Sequence, residues 1–204
     1  MQRRNLLSLS ALALVTGRSA HAQRAAGRVL TQVDTALGAF VIAVDPARAP
    51  LTVANYLAYV DQRWLDGGAV YRIVTPANQA SDTKHKIEVV QWGMDLPDDK
   101  APPLPPIAHE TTQQTGLLHR DGTVSMARSA PGTAATEFFI CIGDQPELDF
   151  GGRRNPDGLG FAAFGQVVEG MAVVQAIYRK AQADQYLKPP IVVRSVRRVP
   201  AASR

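Results

Sequence analysis

Short runs of β-branched and aromatic residues, separated by glycine, proline and aspartate, recur along most of the chain. Two such runs lie within residues 28–45 on either side of Leu37-Gly38, which predicts an opening hairpin. Similar runs predict further strands over residues 70–74, 86–91, 123–126, 138–142 and 191–199. Many strands at short spacing, with few helical segments between them, favour a closed antiparallel β-barrel.

Two segments carry the helical period instead. The first begins at Pro50, a residue that suits the first turn of a helix. Its apolar residues recur at i, i+3, i+4 and i+7, namely Val53, Tyr56, Leu57 and Val60. The second places Met171, Val174, Ile177 and Tyr178 on one side. The pattern therefore predicts two α-helices beside the strands.

The remaining segments predict loops. Asp66-Gly67-Gly68 marks a turn. Residues 95–106 read as a loop because proline cannot donate a hydrogen bond to a sheet ladder. Residues 144–160 are rich in glycine, aspartate and arginine and predict a long surface connection. Since neither a repeat nor a domain linker is visible, we expect one domain over residues 28–200.

The N-terminus has the composition of a cleaved export signal over residues 1–22. Arg3-Arg4 is a basic start, residues 6–15 are apolar but too few to span a bilayer, and Ala20-His21-Ala22 fits a cleavage site. We therefore expect a protein without stable membrane insertion, exported to the periplasm or beyond the cell. Arg3-Arg4 also fits a twin-arginine signal, so this route and the general secretory route both stay open.

Charge and cysteine content narrow the function classes. The net charge of +4 comes largely from Arg3, Arg4 and Arg18, so 19 basic residues face 18 acidic ones from Gln23 onward. Such a balance predicts no nucleic-acid partner. Cys141 is the only cysteine, which excludes an internal disulfide and predicts a small buried hydrophobe. The histidines after residue 22 do not pair at metal-ligand spacing, so we expect no metal site.

The segment from Thr123 to Gly143 carries the most specific motif. It reads strand, small-residue loop, strand, and includes Ser125-Met126-Ala127, Pro131 and Thr133, and Phe138-Phe139-Ile140. This order resembles the signature of the cyclophilins, the peptidyl-prolyl cis-trans isomerases.

Four further motifs stand in the order that this family has. They are residues 49–57 of the first helix, residues 70–74 around Arg72, Glu147-Leu148-Asp149, and residues 164–171. The resemblance covers nearly everything after about residue 28. It implies an eight-stranded barrel capped by two helices and an isomerase of X-Pro bonds that needs no cofactor. The partners implied are proline-containing segments of exported proteins, bound by a monomer.

The resemblance also implies site residues. Arg72 matches the catalytic arginine, and Gln91 matches the glutamine that orients it, although Gln79 is closer to Arg72 in sequence. Phe139 matches the floor of the proline pocket. The substrate-binding set expected from the motifs is Met126, Ala127, Arg128, Ser129, Glu137, Phe139, Leu148 and Phe161.

Several positions depart from the family pattern. Residues 75–86 look like an insertion, and Glu88 stands where the family has a phenylalanine wall, unless Val89 or Trp92 compensates. Glu147 stands where a tryptophan is common. These changes keep a second hypothesis open, in which the chain is a non-catalytic module of the same fold that binds proline-containing segments as a chaperone or scaffold.

Overall fold

Eight strands close into one antiparallel barrel in the computed structural model, which describes residues 27–94, 96 and 100–199. The strands are β1 (Val29–Thr35), β2 (Gly38–Val44), β3 (Ala69–Val74), β4 (Val89–Gly93), β5 (Thr123–Met126), β6 (Glu137–Cys141), β7 (Ala162–Glu169) and β8 (Tyr186–Arg198). Around the barrel they follow the order β1-β2-β7-β5-β6-β4-β3-β8. The predicted barrel is therefore confirmed.

Two main helices accompany the barrel, as the sequence predicts. Helix α1 (Pro50–Asp61) buries all four apolar positions of its predicted face. A single turn, α2 (Thr112–Thr115), precedes the last helix, α3 (Met171–Tyr178). Within α3, Val174 and Ile177 are buried, so its inner face matches the predicted one.

The barrel interior is filled by the inward-facing side chains of the strands and by α1 and α3. Side chains alternate between the two faces of a strand, so Phe138 and Ile140 of β6 point inward. Tyr56 of α1 packs edge-on against Phe138, with ring centroids 5.2 Å apart. This arrangement leaves the other face of β6 free to build a second cluster outside the barrel.

Two strands begin several residues away from their predicted starts. Strand β4 begins at Val89 rather than near Lys86, because the backbone N–H of Ile87 donates to the Gln79 side chain at 3.1 Å instead of joining the ladder. Strand β8 begins at Tyr186, well before Ile191. Pro189 and Pro190 hide this start in the sequence, since proline removes ladder donors.

The described residues test only some of the other predictions. Cys141 is buried without a disulfide, and burial raises the pKa of its thiol. No helix in the described ranges is long and apolar enough to cross a bilayer. The predicted signal over residues 1–22 lies outside the described residues, as does the end of the expected domain at Pro200.

Candidate active site

A second apolar cluster lies on the outer face of the barrel, beneath the loops. Phe139 and Cys141 point outward from β6 and meet Val74, Val89 and Leu148. Ala127 and Phe161 pack against this cluster from its edge. Neighbouring residues of β6 face opposite sides of the sheet, and this alternation divides its side chains between the barrel interior and the outer cluster.

A pocket of about 200 Å³ opens over this cluster. Apolar side chains form one part of its wall, and three arginines and two amides form the rest. The lining residues are Arg72, Ile87, Val89, Gln91, Ala127, Arg128, Phe139, Leu148, Arg154, Asn155 and Phe161. Seven of the ten residues expected from the sequence motifs therefore lie together around one cavity.

Arg72 lies on β3 and is held by neutral acceptors. Its Nη1 donates to Oε1 of Gln91 at 2.9 Å, and its Nε donates to Oε1 of Gln185 at 3.0 Å. Its Nη2 donates to the same Gln185 oxygen. The guanidinium also lies over the Tyr186 ring, 5.8 Å from the centroid, which is within cation–π range. These contacts fix the plane of the guanidinium without neutralising its charge.

A bulge explains why consecutive side chains of β3 reach the same neighbour. The register between β3 and β4 shifts between Val70 and Arg72, and Arg72 then pairs with Gln91. Because a bulge inserts a residue into one strand and re-aims its side chain, both Tyr71 and Arg72 contact the Gln91 amide. Gln91 Nε2 also donates to Glu137 at 3.1 Å. The amide of Gln91 is thus held on both sides.

Of the two glutamines left open by the sequence, Gln91 is the one that contacts Arg72. Gln79 is buried, and its Nε2 donates to the backbone carbonyls of Thr75 at 2.8 Å and Ile87 at 2.9 Å. Those bonds close the loop of residues 75–88 on itself. Gln79 therefore holds the predicted insertion together and does not contact Arg72.

Burial raises the pKa of the Tyr71 phenol, and the nearby Glu137 charge raises it further. The phenol consequently stays neutral and can accept the hydrogen bond that Gln91 donates. This fixes the direction of the Gln91 amide, whose oxygen then faces Arg72.

Phe139 is held in place from two directions. Its ring stacks on His119, with centroids 5.9 Å apart and planes 15° apart, and meets Phe161 edge-on at 5.4 Å. His119 is itself fixed, because its Nδ1 lies 2.8 Å from Asp149 Oδ1 and its Nε2 lies 3.0 Å from Ser125 Oγ. Ser125 and His119 are buried behind the Phe139 ring and Asp149 is half-buried, so the three residues support the pocket rather than facing it.

The loop between Leu148 and β7 supplies the opposite wall. Gly160 has φ +65°, and a Cβ there would lie 2.5 Å from the Leu148 carbonyl oxygen, so only glycine fits this close approach. The N–H of Phe161 donates to the same oxygen at 2.9 Å, which sets its ring beside Leu148. Arg128 closes the loop with a bidentate ion pair to Asp157, both distances being 2.9 Å.

Three expected binding residues lie outside the pocket lining. The prediction that Met126 binds substrate is corrected by its position in the barrel interior, where it is 1% exposed. It faces inward on β5, while Ala127 faces outward. Ser129 is exposed in the loop after β5, where its N–H donates to Thr133 Oγ1 at 3.1 Å. Glu137 is exposed at the edge, and its carboxylate accepts a hydrogen bond from Gln91.

The two glutamates that depart from the family pattern, Glu88 and Glu147, do not line the pocket. Glu88 points toward α3, where its carboxylate accepts a hydrogen bond from the Tyr178 hydroxyl. Ile87 and Val89 line the pocket on either side of it. Trp92, the other suggested replacement wall, lies in the barrel interior. Glu147 accepts from Arg153 at 3.1 Å, and Arg153 lowers the pKa of this carboxyl.

Sequence reasoning missed Gln185, Ile87, Arg154 and Asn155. Gln185 stands in a polar stretch before β8 with no motif around it. Arg154 and Asn155 belong to the long connection predicted at residues 144–160, and Ile87 follows the predicted insertion. No local pattern marks these positions, because their contacts join segments far apart in the chain.

Comparison with known proteins identifies the family. The model of the cyclophilin type peptidyl-prolyl cis-trans isomerase family matches residues 30–198. The chain belongs to the cyclophilins. It is 34% identical over 148 residues to a peptidyl-prolyl cis-trans isomerase of Streptomyces antibioticus, covering 72% of this chain and 81% of that protein. It is 32% identical over 173 residues to peptidyl-prolyl cis-trans isomerase A of Dickeya dadantii, covering 83% and 82%.

Solved structures show the same cyclophilin fold. A cyclophilin type peptidyl-prolyl cis-trans isomerase of Cryptosporidium parvum matches with a TM-score of 0.68 at 15% identity, covering 85% of this chain and 99% of that one. A second structure of that protein, in the presence of the dipeptide Ala-Pro, matches with a TM-score of 0.67, covering 84% and 99%. At this identity the likeness concerns the barrel.

Proposed function

We propose that this cyclophilin accelerates cis-trans rotation about X-Pro bonds in exported polypeptides, with Arg72 as the catalytic hydrogen-bond donor. One observation carries the proposal: two neutral amides, of Gln91 and Gln185, hold the Arg72 guanidinium in the wall of a pocket floored by Phe139. The bacterial relatives are named peptidyl-prolyl cis-trans isomerases, which supports the same activity here. The Cryptosporidium structure determined in the presence of Ala-Pro supports an X-Pro ligand.

Catalysis of X-Pro rotation requires stabilisation of the twisted state of the bond. Rotation about a peptide bond has a barrier of about 18–20 kcal/mol, which comes from amide resonance. In the twisted state resonance is lost, and the imide nitrogen gains a lone pair that can accept a hydrogen bond. A donor placed at that nitrogen stabilises the twisted state more than the planar one, which is the condition for catalysis.

Arg72 has the donors that this step needs. A guanidinium carries five N–H groups. Three of them, one each on Nε, Nη1 and Nη2, donate to Gln91 or Gln185. Within the described residues, no hydrogen bond uses the second N–H of Nη1 or of Nη2. Both can face a bound substrate, and neutral partners leave the full positive charge to act on it.

The apolar wall provides for the proline ring. Phe139, Phe161 and Leu148 meet at the floor and side of the pocket, and Val89 also lines it. A ring held there is excluded from water, while the residue before the proline stays free to rotate. The pocket thus fixes one side of the X-Pro bond and leaves the other side to turn.

Non-catalytic binding is the alternative that the sequence left open. Its support came from Glu88 and Glu147, two departures from the family pattern. Glu88 turns away toward Tyr178, and Glu147 pairs with Arg153, so neither side chain disturbs the contacts of Arg72. With that support weakened, catalysis is the function we favour.

Export defines the clients that we propose. The signal-like composition of residues 1–22 supports action outside the cytoplasm on secreted chains. We propose that the protein acts as a monomer through the pocket over Phe139.

The test is the exchange rate between cis and trans forms of an amidated Ala-Pro peptide, followed by NMR with and without the purified protein. We expect acceleration at substoichiometric protein, and an exchange rate that the protein leaves unchanged would contradict the proposal.

A further inference from the structure

Arg154 is a second cation in the proposed substrate pocket. It lies on the loop between Leu148 and β7 and lines the cavity together with Arg72. Its Nη1 donates to the backbone carbonyl of His85 at 3.0 Å and to Oε1 of Gln79 at 3.2 Å. Both acceptors are neutral and belong to the insertion that the sequence predicted, so the insertion holds a positive charge in the pocket.

The neighbouring arginines are neutralised, whereas Arg154 is not. Arg128 forms its ion pair with Asp157 at 2.9 Å, and Arg153 forms one with Glu147 at 3.1 Å. Within the ranges that the structure describes, Arg154 and Arg72 have no carboxylate within 4 Å of their guanidinium nitrogens. A pocket of about 200 Å³ therefore contains two cations held only by neutral groups.

Two cations held only by neutral groups in one pocket favour the binding of an anion. Burial lowers the pKa of Arg154, and the nearby positive charge of Arg72 lowers it further because like charges repel. Arginine nevertheless remains protonated, because its unperturbed pKa exceeds 12. A bound carboxylate would offset both the lost hydration and the repulsion.

Among the described residues, two glutamates on the neighbouring segments are engaged with other partners. Glu147 binds Arg153 and lies 3.4 Å from His85 Nδ1. Glu137 accepts from Gln91 at the outer edge of the site. Among the described residues no carboxylate pairs with Arg154, so the partner that we consider is a carboxylate of the substrate.

We propose that Arg154, beside the catalytic Arg72, forms an anion subsite that selects X-Pro segments carrying an aspartate or glutamate next to the proline. The inference rests on the proposed isomerase function and adds the substrate preference of the same pocket. A carboxylate matches the planar N–H fork of a guanidinium, and a side chain next to the proline places it within reach while the ring lies on Phe139.

A peptide series tests this preference. Each peptide is acetylated and amidated, contains one proline, and carries Glu, Gln or Lys immediately before or after it. We expect kcat/KM of the unmodified protein to be about tenfold higher for the better Glu peptide than for its Lys counterpart, at low salt. Raising the salt from about 0.05 to about 0.5 M should reduce this ratio, since screening weakens the attraction.

Two variants assign the preference to one side chain. In Arg154→Gln the Glu-to-Lys ratio should fall to about twofold or less, and Arg154→Lys should restore part of it. Arg153→Gln is the matched control, because Arg153 is the exposed neighbour already paired with Glu147, and it should keep the ratio of the unmodified protein. A Gln peptide with a free C-terminal carboxylate distinguishes a side-chain carboxylate from a chain end.

The outcomes separate the two proposals. Equal kcat/KM for Glu and Lys peptides on the unmodified protein, or a ratio that persists in Arg154→Gln, overturns the anion subsite while isomerisation of the Gln peptide stands. If the preference for an anionic peptide appears only with the Gln peptide that has a free C-terminal carboxylate, the anion subsite for a side chain is also overturned. If no peptide is isomerised, the proposed function fails, and NMR titration of the same peptides still measures whether the Glu peptide binds about tenfold more tightly.

Discussion

The side-chain oxygen of Gln185, the residue just before β8, accepts hydrogen bonds from both Nε and Nη2 of Arg72. Its amide nitrogen donates to the backbone carbonyl of Asn78 at 3.0 Å, so the orientation of this amide is set by the insertion before β4. Asn78 in turn donates to the carbonyl of Gln182 at 3.1 Å. The insertion, which looked like a departure from the family pattern, thus reaches the proposed catalyst through one glutamine.

Replacement of Gln185 by leucine should lower kcat about tenfold and change KM less, because a misaligned donor is lost mainly from the twisted state. Steady-state kinetics with a neutral Ala-Pro peptide give both constants. Gln182→Leu is the control, since Gln182 contacts Lys188 instead of Arg72. A Gln185→Leu protein with unchanged kcat, or with only KM altered, would show that Gln91 alone suffices to position Arg72.

Truncation of Phe139 to alanine should weaken peptide binding and lower stability together. The ring is 4% exposed and contacts both His119 and Phe161, so its loss removes a pocket floor and opens a cavity. Changes of this kind cost about 3–5 kcal/mol of unfolding free energy. Denaturant unfolding and peptide titration measure the two effects. Phe150→Ala, at an exposed phenylalanine, is the control, and Phe139→Leu serves if the alanine variant does not fold.

The Arg128–Asp157 pair should make the pocket loop sensitive to acid. Arg128 lowers the pKa of the Asp157 carboxyl, so the pair stabilises the fold fully above the unfolded pKa of about 4. This contribution is lost as the pH falls through the lower folded pKa. The Tm difference between the unmodified protein and Asp157→Asn should therefore be larger at pH 6 than below about pH 3. A difference independent of pH would contradict this origin, and Asp82→Asn is the control.

Export can be tested apart from the chemistry. Cleavage after Ala22 should leave a mature chain that begins at Gln23, as the Ala-His-Ala pattern predicts. Mass spectrometry of the protein from its native cell identifies this end. Replacing Arg3-Arg4 by two lysines should block export only if the twin-arginine route is used. An uncleaved chain in the cytoplasm would contradict the exported clients that we propose.

Local patterns were sufficient for most of the fold. Alternation on β6 separates Phe138 from Phe139, and the helical period of α1 gives its buried face. Such features follow from neighbours in sequence. The early start of β8 at Tyr186 could not be predicted in this way. Pro189 and Pro190 are atypical of a strand, and the pairing of this part of β8 with β3 depends on tertiary contacts.

The site was predictable where a motif repeats the family order, and not where distant loops meet. Arg72 and Phe139 belong to such motifs. Arg154 lines the pocket with its guanidinium held by the backbone carbonyl of His85, 69 residues earlier in the chain, and by Gln79. Met126 belongs to the signature, yet its place on the strand sends it into the core. The resemblance therefore named residues that lie around one pocket, whereas the charges of that pocket depend on long-range contacts.

Loss of the Arg72 side chain tests the proposed mechanism most directly. Arg72→Ala should keep the fold, because the guanidinium is only half-buried and bonds to side chains rather than to the barrel backbone. Its kcat/KM for a neutral Ala-Pro peptide should fall about a hundredfold or more, as removal of a transition-state donor does. Circular dichroism establishes that the variant is folded. A folded Arg72→Ala protein with the kcat/KM of the unmodified protein would contradict catalysis by Arg72.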